Sequence, residues 1–442
     1  MSAGPVLVVG AGLAGSEAAW QLAEAGVEVL LVEMRPVRPT PVHATDRFAE
    51  LVCSNSLRGD ALTNAVGLLK REMESLGSVV LRAARESAVP AGGALAVDRE
   101  RFAATVTELV TGHPRITVER REVTALPEPP AILATGPLTA EPLHRALEEL
   151  LGEGSLAFFD AVAPIVAADS LDMDRLFRAS RWGRGGGDDY LNAPMDREAY
   201  ERFVRELLEA EKVPFRDFEA EAACYFEGCL PIEVMAERGP DTLRHGPMKP
   251  VGLTDPRTGR RPWAVVQLRQ DDLAAEHWNL VGFQTKLTRP EQRRVFRMIP
   301  GLEEARFVRY GMIHRNTFVN APAHLDPFLR IRKAPGLRLA GQITGVEGYV
   351  ESAATGLLAG RLLAAELRGR HQAPPPPGTA LGALVRHLTA RRPEGFQPAN
   401  VSWGLIRCPL ELIHIRDRNR RRLAQAAAAL EAIREWARRL ER

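Results

Sequence analysis

Three glycines near the start of the chain have the spacing of a dinucleotide-binding turn. Gly10, Gly12 and Gly15 form the pattern G-x-G-x-x-G directly after an apolar run, and a helix-forming segment follows. The first glycine makes a tight turn, the second lets the backbone approach a pyrophosphate, and the third lets the helix pack closely on the strand. Glu33 ends the second apolar run and can accept hydrogen bonds from a ribose hydroxyl.

This pattern predicts a nucleotide site whose pyrophosphate sits on a helix N-terminus. The alternative is a glycine-rich connection in an α/β sheet with nothing bound. The strand before the turn, the helix after it and the distal acid all agree, so the nucleotide site is favoured.

A second strand–glycine–helix segment returns late in the chain. A strand near Leu337 leads into Gly341 and Gln342, and Tyr349 precedes an Ala-rich helix. Flavoproteins built on this fold commonly close the site with such a segment, so FAD is favoured over NAD as the bound cofactor. Tyr349 is placed to stack on the isoalloxazine, or else is a packing aromatic at a helix start. Because a second G-x-G-x-x-G is missing from the sequence, we expect a nicotinamide to bind only transiently against the flavin.

The composition is that of an ordinary globular protein with two or three domains: 442 residues, 45% hydrophobic and 26% charged. No apolar run approaches the ~18 residues of a membrane span, and a strand by Val6 leaves no room for a signal peptide. The four cysteines show neither C-x-x-C pairing nor zinc-like spacing with His, which predicts free thiols, no metal site and a cytoplasmic protein. The net charge is only +2, so an RNA partner would have to bind at a local basic surface.

The order of patterns along the chain predicts an α/β fold. Residues 116–118 and 123–126 predict paired strands, and the character of the chain changes near Leu138. The predicted fold is a Rossmann-like FAD-binding domain of the two-dinucleotide-fold flavoprotein type, interrupted by an α+β insertion domain and followed by a helical C-terminal tail. The predicted segments are 1–138 (FAD-binding, first part), 139–326 (insertion, substrate domain), 327–370 (FAD-binding, second part) and 371–442 (linker and tail).

Five motifs together resemble one protein family. They are GAGLAGSEAA at 10–19, LVCSNSLR at 51–58, GPMKPVGL at 246–253, NLVGFQTKL at 279–287 and QITGVEGYVES at 342–352. The chain resembles the bacterial folate- and FAD-dependent tRNA (uracil-5-)-methyltransferases over residues 5–367. The resemblance implies C5-methylation of the T-loop uridine of tRNA, with 5,10-methylenetetrahydrofolate and NAD(P)H as co-substrates.

The resemblance also implies roles for particular side chains. Cys53 and Cys224 become the candidate catalytic thiols, one to attack C6 of uracil and one to act toward the flavin adduct, although a small buried cysteine remains the alternative for each. Cys229 and Cys408 we interpret as structural. His314 could stack on the pterin or move a proton, or could be an ordinary hydrogen-bonded histidine.

Two lysines and the tail are further candidates for ligand contacts. Lys286 and Lys249 could meet folate carboxylates or tRNA phosphates, although a solvated surface role is open to both. The arginine-rich tail at 416–422 could contact phosphate or form a solvated helix.

Three alternative functions stay open. One is the larger flavoprotein of wobble-uridine tRNA modification, which shares the N-terminal fingerprint but normally extends much further beyond its last flavin motif. The second is an FAD oxidoreductase that acts on a small molecule. The third is a non-catalytic RNA-binding protein that carries FAD.

Overall fold

The structure is a computed structural model that describes residues 4–152, 156–214, 230–370, 373–390 and 396–441, without the side chains at 156–160, 314 and 315. Strands and helices alternate at the start and near the end of the chain, and a separate antiparallel sheet occupies its middle. The strands are β1 (Val6–Val9), β2 (Val29–Glu33), β3 (Ser56–Gly59), β4 (Ala88–Val89), β5 (Ala94–Val97), β6 (Ile116–Arg120), β7 (Ala131–Leu133), β8 (Leu156–Val162), β9 (Ile165–Ala167), β10 (Phe177–Arg178), β11 (Tyr190–Met195), β12 (Ala264–Gln270), β13 (His277–Leu280), β14 (Phe307–Arg309), β15 (Met312–Phe318), β16 (Arg330–Ile331) and β17 (Ala334–Leu339).

The helices surround these strands. The α-helices are α1 (Leu13–Glu24), α2 (Ala65–Ser75), α3 (Val79–Glu86), α4 (Arg99–Thr111), α5 (Glu141–Leu151), α6 (Arg197–Glu209), α7 (Ile232–Glu237), α8 (Thr242–His245), α9 (Arg289–Phe296), α10 (Ala321–His324), α11 (Tyr349–Leu367), α12 (Ala380–Thr389) and α13 (Arg418–Glu441). Short 3-10 helices lie at Gly136–Leu138, Ala168–Ser170, Arg181–Gly183, Gln342–Thr344 and Leu410–Leu412. None of the helices in the described residues is long and apolar enough to cross a membrane.

The sheet that carries the glycine turn has six strands in the order β16-β17-β7-β1-β2-β6. β1 pairs in parallel with β2 and β7, and the parallel pairing continues outward to β6 and β17. Only the edge strand β16 is antiparallel. Buried parallel strands read as nearly continuous apolar runs, which is why the runs at 6–9 and 29–32 were informative. The predicted α/β Rossmann-like fold is confirmed.

One predicted strand is wrong. Residues 123–126 form no strand, and β6 pairs in parallel with β2 instead of with the segment that follows it. That segment holds Pro127, Pro129 and Pro130, which cannot donate to a ladder, and it returns the chain from β6 to β7. Residues 123–126 therefore lie in the loop that joins β6 to β7, and Val123 lines the cleft described below.

Close packing of α1 on α11 fixes both halves of the predicted cofactor site relative to each other. A Cβ added at Gly356 would lie 2.1 Å from the carbonyl oxygen of Ala14, and one at Gly360 would lie 2.7 Å from that of Ala18. Only glycine permits this approach of the two helices. The start of α11, with Tyr349, is thereby held beside the turn that begins α1.

A second sheet is antiparallel, in the order β10-β11-β12-β13-β9-β14. The chain enters the unit built on this sheet through β8 and leaves it through β15, and these two strands pair antiparallel from Leu156–Phe318 to Val162–Met312. The antiparallel-sheet unit has its own apolar core, formed by residues such as Phe203, Trp278 and Phe283. An α+β unit inserted into the parallel-sheet unit is what the sequence predicts.

The core of the parallel-sheet unit includes elements from beyond the flavin motifs. Leu143, Leu147 and Leu151 of α5 pack into it, as do apolar side chains of α12 and α13. Glu72 of α2 accepts hydrogen bonds from the backbone N–H groups of Ala380 and Leu381, at 2.7 and 2.9 Å. The predicted boundaries at 138, 326 and 370 stay a prediction.

Candidate active site

The carboxyl ends of β1, β2, β7 and β17 open onto one cleft, called here the nucleotide cleft, with a volume of about 1180 Å³ when the open space at its mouth is included. Ligands bind at this edge of the sheet in doubly wound folds. Seven of the residues selected from the sequence line it: Gly10, Gly12, Glu33, Cys53, Gly341, Gln342 and Tyr349. The structure thus brings together the glycine turn, the distal acid, one candidate thiol and the late glycine segment.

The glycine turn has the geometry that its spacing predicts. Gly10 has φ +95°, and a Cβ there would lie 2.6 Å from the carbonyl oxygen of Ala134. A Cβ at Gly15, in the first turn of α1, would lie 1.7 Å from the carbonyl oxygen of Gly10, so this position accepts no larger residue. At Gly12 nothing lies within 4 Å of an added Cβ. That position borders the cleft, where a ligand can approach the backbone.

Glu33 is tied to the glycine turn. Its Oε2 accepts a hydrogen bond from the backbone N–H of Ala11 at 2.8 Å, and its Oε1 accepts from the backbone N–H and Nε of Arg35 at 3.0 and 2.9 Å. Burial acts to raise the pKa of Glu33, but the Arg35 charge and these hydrogen bonds outweigh it and hold the pKa below its usual range. Glu33 is therefore an anion at neutral pH, with acceptor capacity left on its oxygens.

The late segment supplies the opposite wall. Gly341 has φ +86°, and its N–H donates to Thr355 Oγ1 at 2.7 Å, so the turn is anchored to α11. Gln342 Nε2 donates to Glu347 Oε1 at 2.5 Å. A Cβ on Gly341 would lie 3.0 Å from the Cβ of Ala14, which requires a small residue where the two walls meet.

Tyr349 holds the loop that carries Cys53. Its hydroxyl accepts hydrogen bonds from the backbone N–H groups of Cys53 at 2.7 Å and Ser54 at 3.1 Å. Burial, and then the neighbouring Cys53, raises the pKa of the phenol, so it stays neutral. The Cys53 thiol itself contacts the carbonyl oxygen of Ala161 at 3.6 Å, where β8 leads into the antiparallel-sheet unit. Cys53 therefore lies where the two units meet the nucleotide cleft.

Two arginines, which the sequence analysis missed, brace the same loop. Arg99 Nη1 donates to the carbonyl oxygen of Leu51 at 2.8 Å, and its Nε donates to Asp271 Oδ2 at 2.9 Å. Arg269, buried in β12, donates to Asn55 Oδ1 at 2.8 Å and to Ser54 Oγ at 2.7 Å. For Arg269 a signal was present, because a charged side chain in a strand that is buried along its whole length needs a buried partner.

A second cleft lies between the two units and is called here the interdomain cleft. It has an empty volume of about 2070 Å³, and Arg99, Arg309, Tyr310 and Met312 contribute to its walls. His43 lines both clefts. Burial and the charge of Arg35, against the opposing charges of Glu50 and Glu33, lower the pKa of His43 to about 4, so this imidazole is neutral at pH 7. His43 was not selected from the sequence because nothing in its local pattern marks it.

The other selected residues lie elsewhere or outside the described residues. Lys286 lines neither cleft, and its backbone N–H donates to the buried Glu233 at 2.7 Å. Lys249 is exposed in the antiparallel-sheet unit. The backbone of His314 lies in β15, two residues after Met312, but its side chain is outside the described residues, as are Cys224 and Cys229.

Cys408 is half-buried, and its thiol lies 3.5 Å from the carbonyl oxygen of Pro409. It lines neither cleft. Within the described residues no group of three His, Cys, Asp or Glu side chains is arranged to hold a metal ion.

Most of the chain is similar to proteins of one family. The family described as "Glucose inhibited division protein A" matches residues 5–371. Methylenetetrahydrofolate–tRNA-(uracil-5-)-methyltransferase TrmFO of Geobacter sulfurreducens is 60% identical over 428 residues, which are 96% of this chain and 98% of that protein. The chain belongs to the TrmFO family. The TrmFO proteins of Symbiobacterium thermophilum and Anaeromyxobacter dehalogenans are each 58% identical, and 98% of this chain is covered in both cases, with 97% and 95% of those proteins.

The fold of this TrmFO family member also agrees with a solved structure. GidA of Aquifex aeolicus superposes with a TM-score of 0.70 at 17% sequence identity, over 98% of this chain and 74% of that one. At that identity the similarity concerns the fold alone. The resemblance stated from five sequence motifs is confirmed.

Proposed function

We propose that this chain methylates C5 of the T-loop uridine in tRNA. Uridine, 5,10-methylenetetrahydrofolate, NAD(P)H and a proton give ribothymidine, tetrahydrofolate and NAD(P)⁺. The folate supplies a CH2 unit, and the hydride of NAD(P)H completes the methyl group. The proton lost from C5 and the added proton end on the two folate nitrogens that held the methylene carbon. Because tRNA is the substrate, we also propose a cytoplasmic location. One observation carries the proposal: a candidate nucleophile, Cys53, lines the cleft of the glycine turn in a chain of the TrmFO family.

The nucleotide cleft fits FAD. The open space over Gly12 and the start of α1 suits a pyrophosphate, and Glu33 at the end of β2 suits the adenosine ribose. Gly341, Gln342 and Tyr349 line the same cleft as Cys53 and would meet the isoalloxazine. When bound, FAD supplies the two-electron reduction that turns a methylene unit into a methyl group.

Of the two cysteines that the structure describes, Cys53 is the one placed in the nucleotide cleft, where it could make uracil reactive. Uracil C5 is a poor nucleophile, and addition of a thiolate at C6 converts C5 into an enolate carbon that can attack the one-carbon unit. Two arginines hold the loop of this thiol in place: Arg99 Nη2 donates to the carbonyl oxygen of Cys53 at 3.5 Å, and Arg269 Nη2 donates to Ser54 Oγ at 2.7 Å. Cys224 is the second candidate, and we assign it the complementary role.

The interdomain cleft is our proposed route for uridine and folate. It meets the nucleotide cleft at His43, next to the loop that holds Cys53. Burial, with Arg99 adding to it, lowers the pKa of Arg309, which nevertheless remains a cation that can face an anionic substrate group. His314 follows the wall residue Met312 by two positions, and its proposed contact with the pterin agrees with that placement. A contact of Lys286 with folate or tRNA stays a prediction.

The function is tested with an unmodified tRNA transcript and folate labelled in its methylene carbon. We expect labelled ribothymidine that depends on folate and on NAD(P)H. S-adenosylmethionine in place of folate is the control donor and should give none. Full turnover with S-adenosylmethionine, or turnover on a small molecule without tRNA, would contradict the proposal.

A further inference from the structure

A cluster of arginines precedes and opens the last helix, and it is called here the arginine patch. Its members are Arg416, Arg418, Arg420, Arg421 and Arg422. With Asp417 as the one acid among residues 416–422, the segment has a formal charge of +4. Because α13 begins at Arg418, this charge lies at the end of a helix where acidic side chains would be stabilising. Helix stability therefore does not explain the patch.

The guanidiniums of the patch have no carboxylate partner among the described residues. None of them forms an ion pair with a carboxylate in the part of the chain that the structure describes, and Arg416, Arg418 and Arg420 are exposed. Asp417 instead accepts the backbone N–H of Arg420 at 2.6 Å. Burial, and then the positive charges of Arg418 and Arg421, lowers the pKa of Arg422. This contrasts with exposed arginines elsewhere, such as Arg82 and Arg145, each paired with a glutamate four residues away.

A continuous path of contacts joins the patch to the site. Arg422 lies 5.7 Å from the centre of the Trp403 ring. The short segment 399–403 continues from there to the start of α11, since Asn400 Nδ2 donates to the carbonyl oxygen of Glu347 at 2.6 Å. Val401 N–H donates to Glu351 at 2.9 Å, and Tyr349 lies between these two glutamates along the chain. These contacts run from Arg422 to the start of α11, where the hydroxyl of Tyr349 binds the Cys53 loop.

We propose that the arginine patch binds backbone phosphates of the tRNA whose uridine enters the site. This inference rests on the proposed function and names the surface by which the substrate is held. Arginine suits the role because its planar fork binds two phosphate oxygens at once. The exposed Leu410 and Ile413 nearby make an acidic membrane surface the competing ligand. RNA is favoured because the contacts above lead from the patch to the cleft.

The test compares two triple variants of the full-length protein. The patch variant is Arg416→Gln, Arg418→Gln, Arg420→Gln, which removes three exposed side chains without a described intramolecular partner. The matched control, Arg82→Gln, Arg145→Gln, Arg439→Gln, removes the same charge from exposed arginines that pair with glutamates. Both are measured for tRNA binding from low to high salt, for the KM and kcat of methylation, and for sedimentation with acidic phospholipid vesicles.

We expect the patch variant to bind tRNA more weakly, with a higher KM for tRNA and an unchanged kcat at saturation. The slope of log affinity against log salt should fall by roughly 0.7–0.9 for each phosphate that the variant no longer neutralises, and the control should keep the wild-type slope. An unchanged slope and KM in the patch variant would overturn the inference while leaving the proposed function intact. A loss of vesicle binding with unchanged tRNA binding would assign the patch to a membrane surface. A wild-type protein that binds tRNA without methylating it would instead count against the proposed function.

Discussion

The hydroxyl of Tyr349 should control the reactivity of Cys53 independently of the aromatic ring. Tyr349→Phe keeps the ring but removes the oxygen that accepts the N–H groups of Cys53 and Ser54 at 2.7 and 3.1 Å. Both donors lie in a part-buried loop, where leaving them unpaired costs about 1–3 kcal/mol. Loss of these hydrogen bonds should destabilise the loop conformation that places Cys53 for reaction by ~1–2 kcal/mol. Methylation should then slow by a factor of roughly 5–30.

The assay measures the turnover of tRNA methylation, the rate of alkylation of Cys53 followed by peptide mass spectrometry, and the FAD absorbance spectrum. We expect Tyr349→Phe to retain FAD, to methylate tRNA more slowly, and to differ from the wild type in the rate of Cys53 alkylation. Tyr200→Phe is the matched control, because it loses a hydroxyl that donates to the carbonyl oxygen of Pro240 at 2.7 Å, within the antiparallel-sheet unit. Wild-type turnover and alkylation in Tyr349→Phe would refute the role of the hydroxyl.

Three further predictions concern other residues. Glu33→Ala should release FAD more readily at equal folded fraction, because it removes the proposed acceptor for the ribose and the hydrogen bond to the glycine turn. Fluorescence of released flavin measures this, and wild-type retention would contradict it. Burial raises the pKa of Glu72 to about 8. The contribution of this group to stability is therefore present below pH 4.5 and is lost as pH rises through about 8. Glu72→Gln should flatten this part of the pH profile of the unfolding free energy, and an unaltered profile would count against the prediction. Cys53→Ala should abolish methylation with a melting temperature near wild type, whereas Cys408→Ala, whose thiol lines neither cleft, should keep both; equal activity of the two variants would remove Cys53 from the chemistry.

The glycine turn was predictable from sequence because its constraints are local. Gly10 and Gly15 are required by contacts with Ala134 and with the turn itself, and such steric demands leave a fixed spacing in the chain. The late glycine segment was recognisable for the same reason. The packing of α11 on α1 then follows from glycines that occur at four-residue spacing, Gly356 and Gly360.

The surroundings of Cys53 could not be predicted in the same way, since they come from four distant segments. Tyr349 was expected to contact the flavin, and nothing in its local sequence indicates that its hydroxyl binds backbone N–H groups almost 300 residues away. Arg269 and His43 act through tertiary neighbours, and their spacing relative to Cys53 carries no periodic signal. The wrong strand at 123–126 was predicted from a local pattern alone. Tertiary pairing overrides that pattern, because β6 pairs in parallel with β2 and prolines follow at 127, 129 and 130.

The most direct test of the proposed chemistry is covalent trapping with tRNA that contains 5-fluorouridine at the T-loop position. Fluorine at C5 cannot leave as a cation, so a thiol that has added to C6 remains attached to the RNA after transfer of the one-carbon unit. Nuclease and protease digestion followed by mass spectrometry identifies the linked peptide. We predict a folate-dependent link to Cys53, whereas a link to Cys224 would show that the two thiols exchange the roles proposed for them. A link to Cys229 or Cys408, or full turnover on normal tRNA with no link to any cysteine, would contradict thiolate activation of uracil in this cleft.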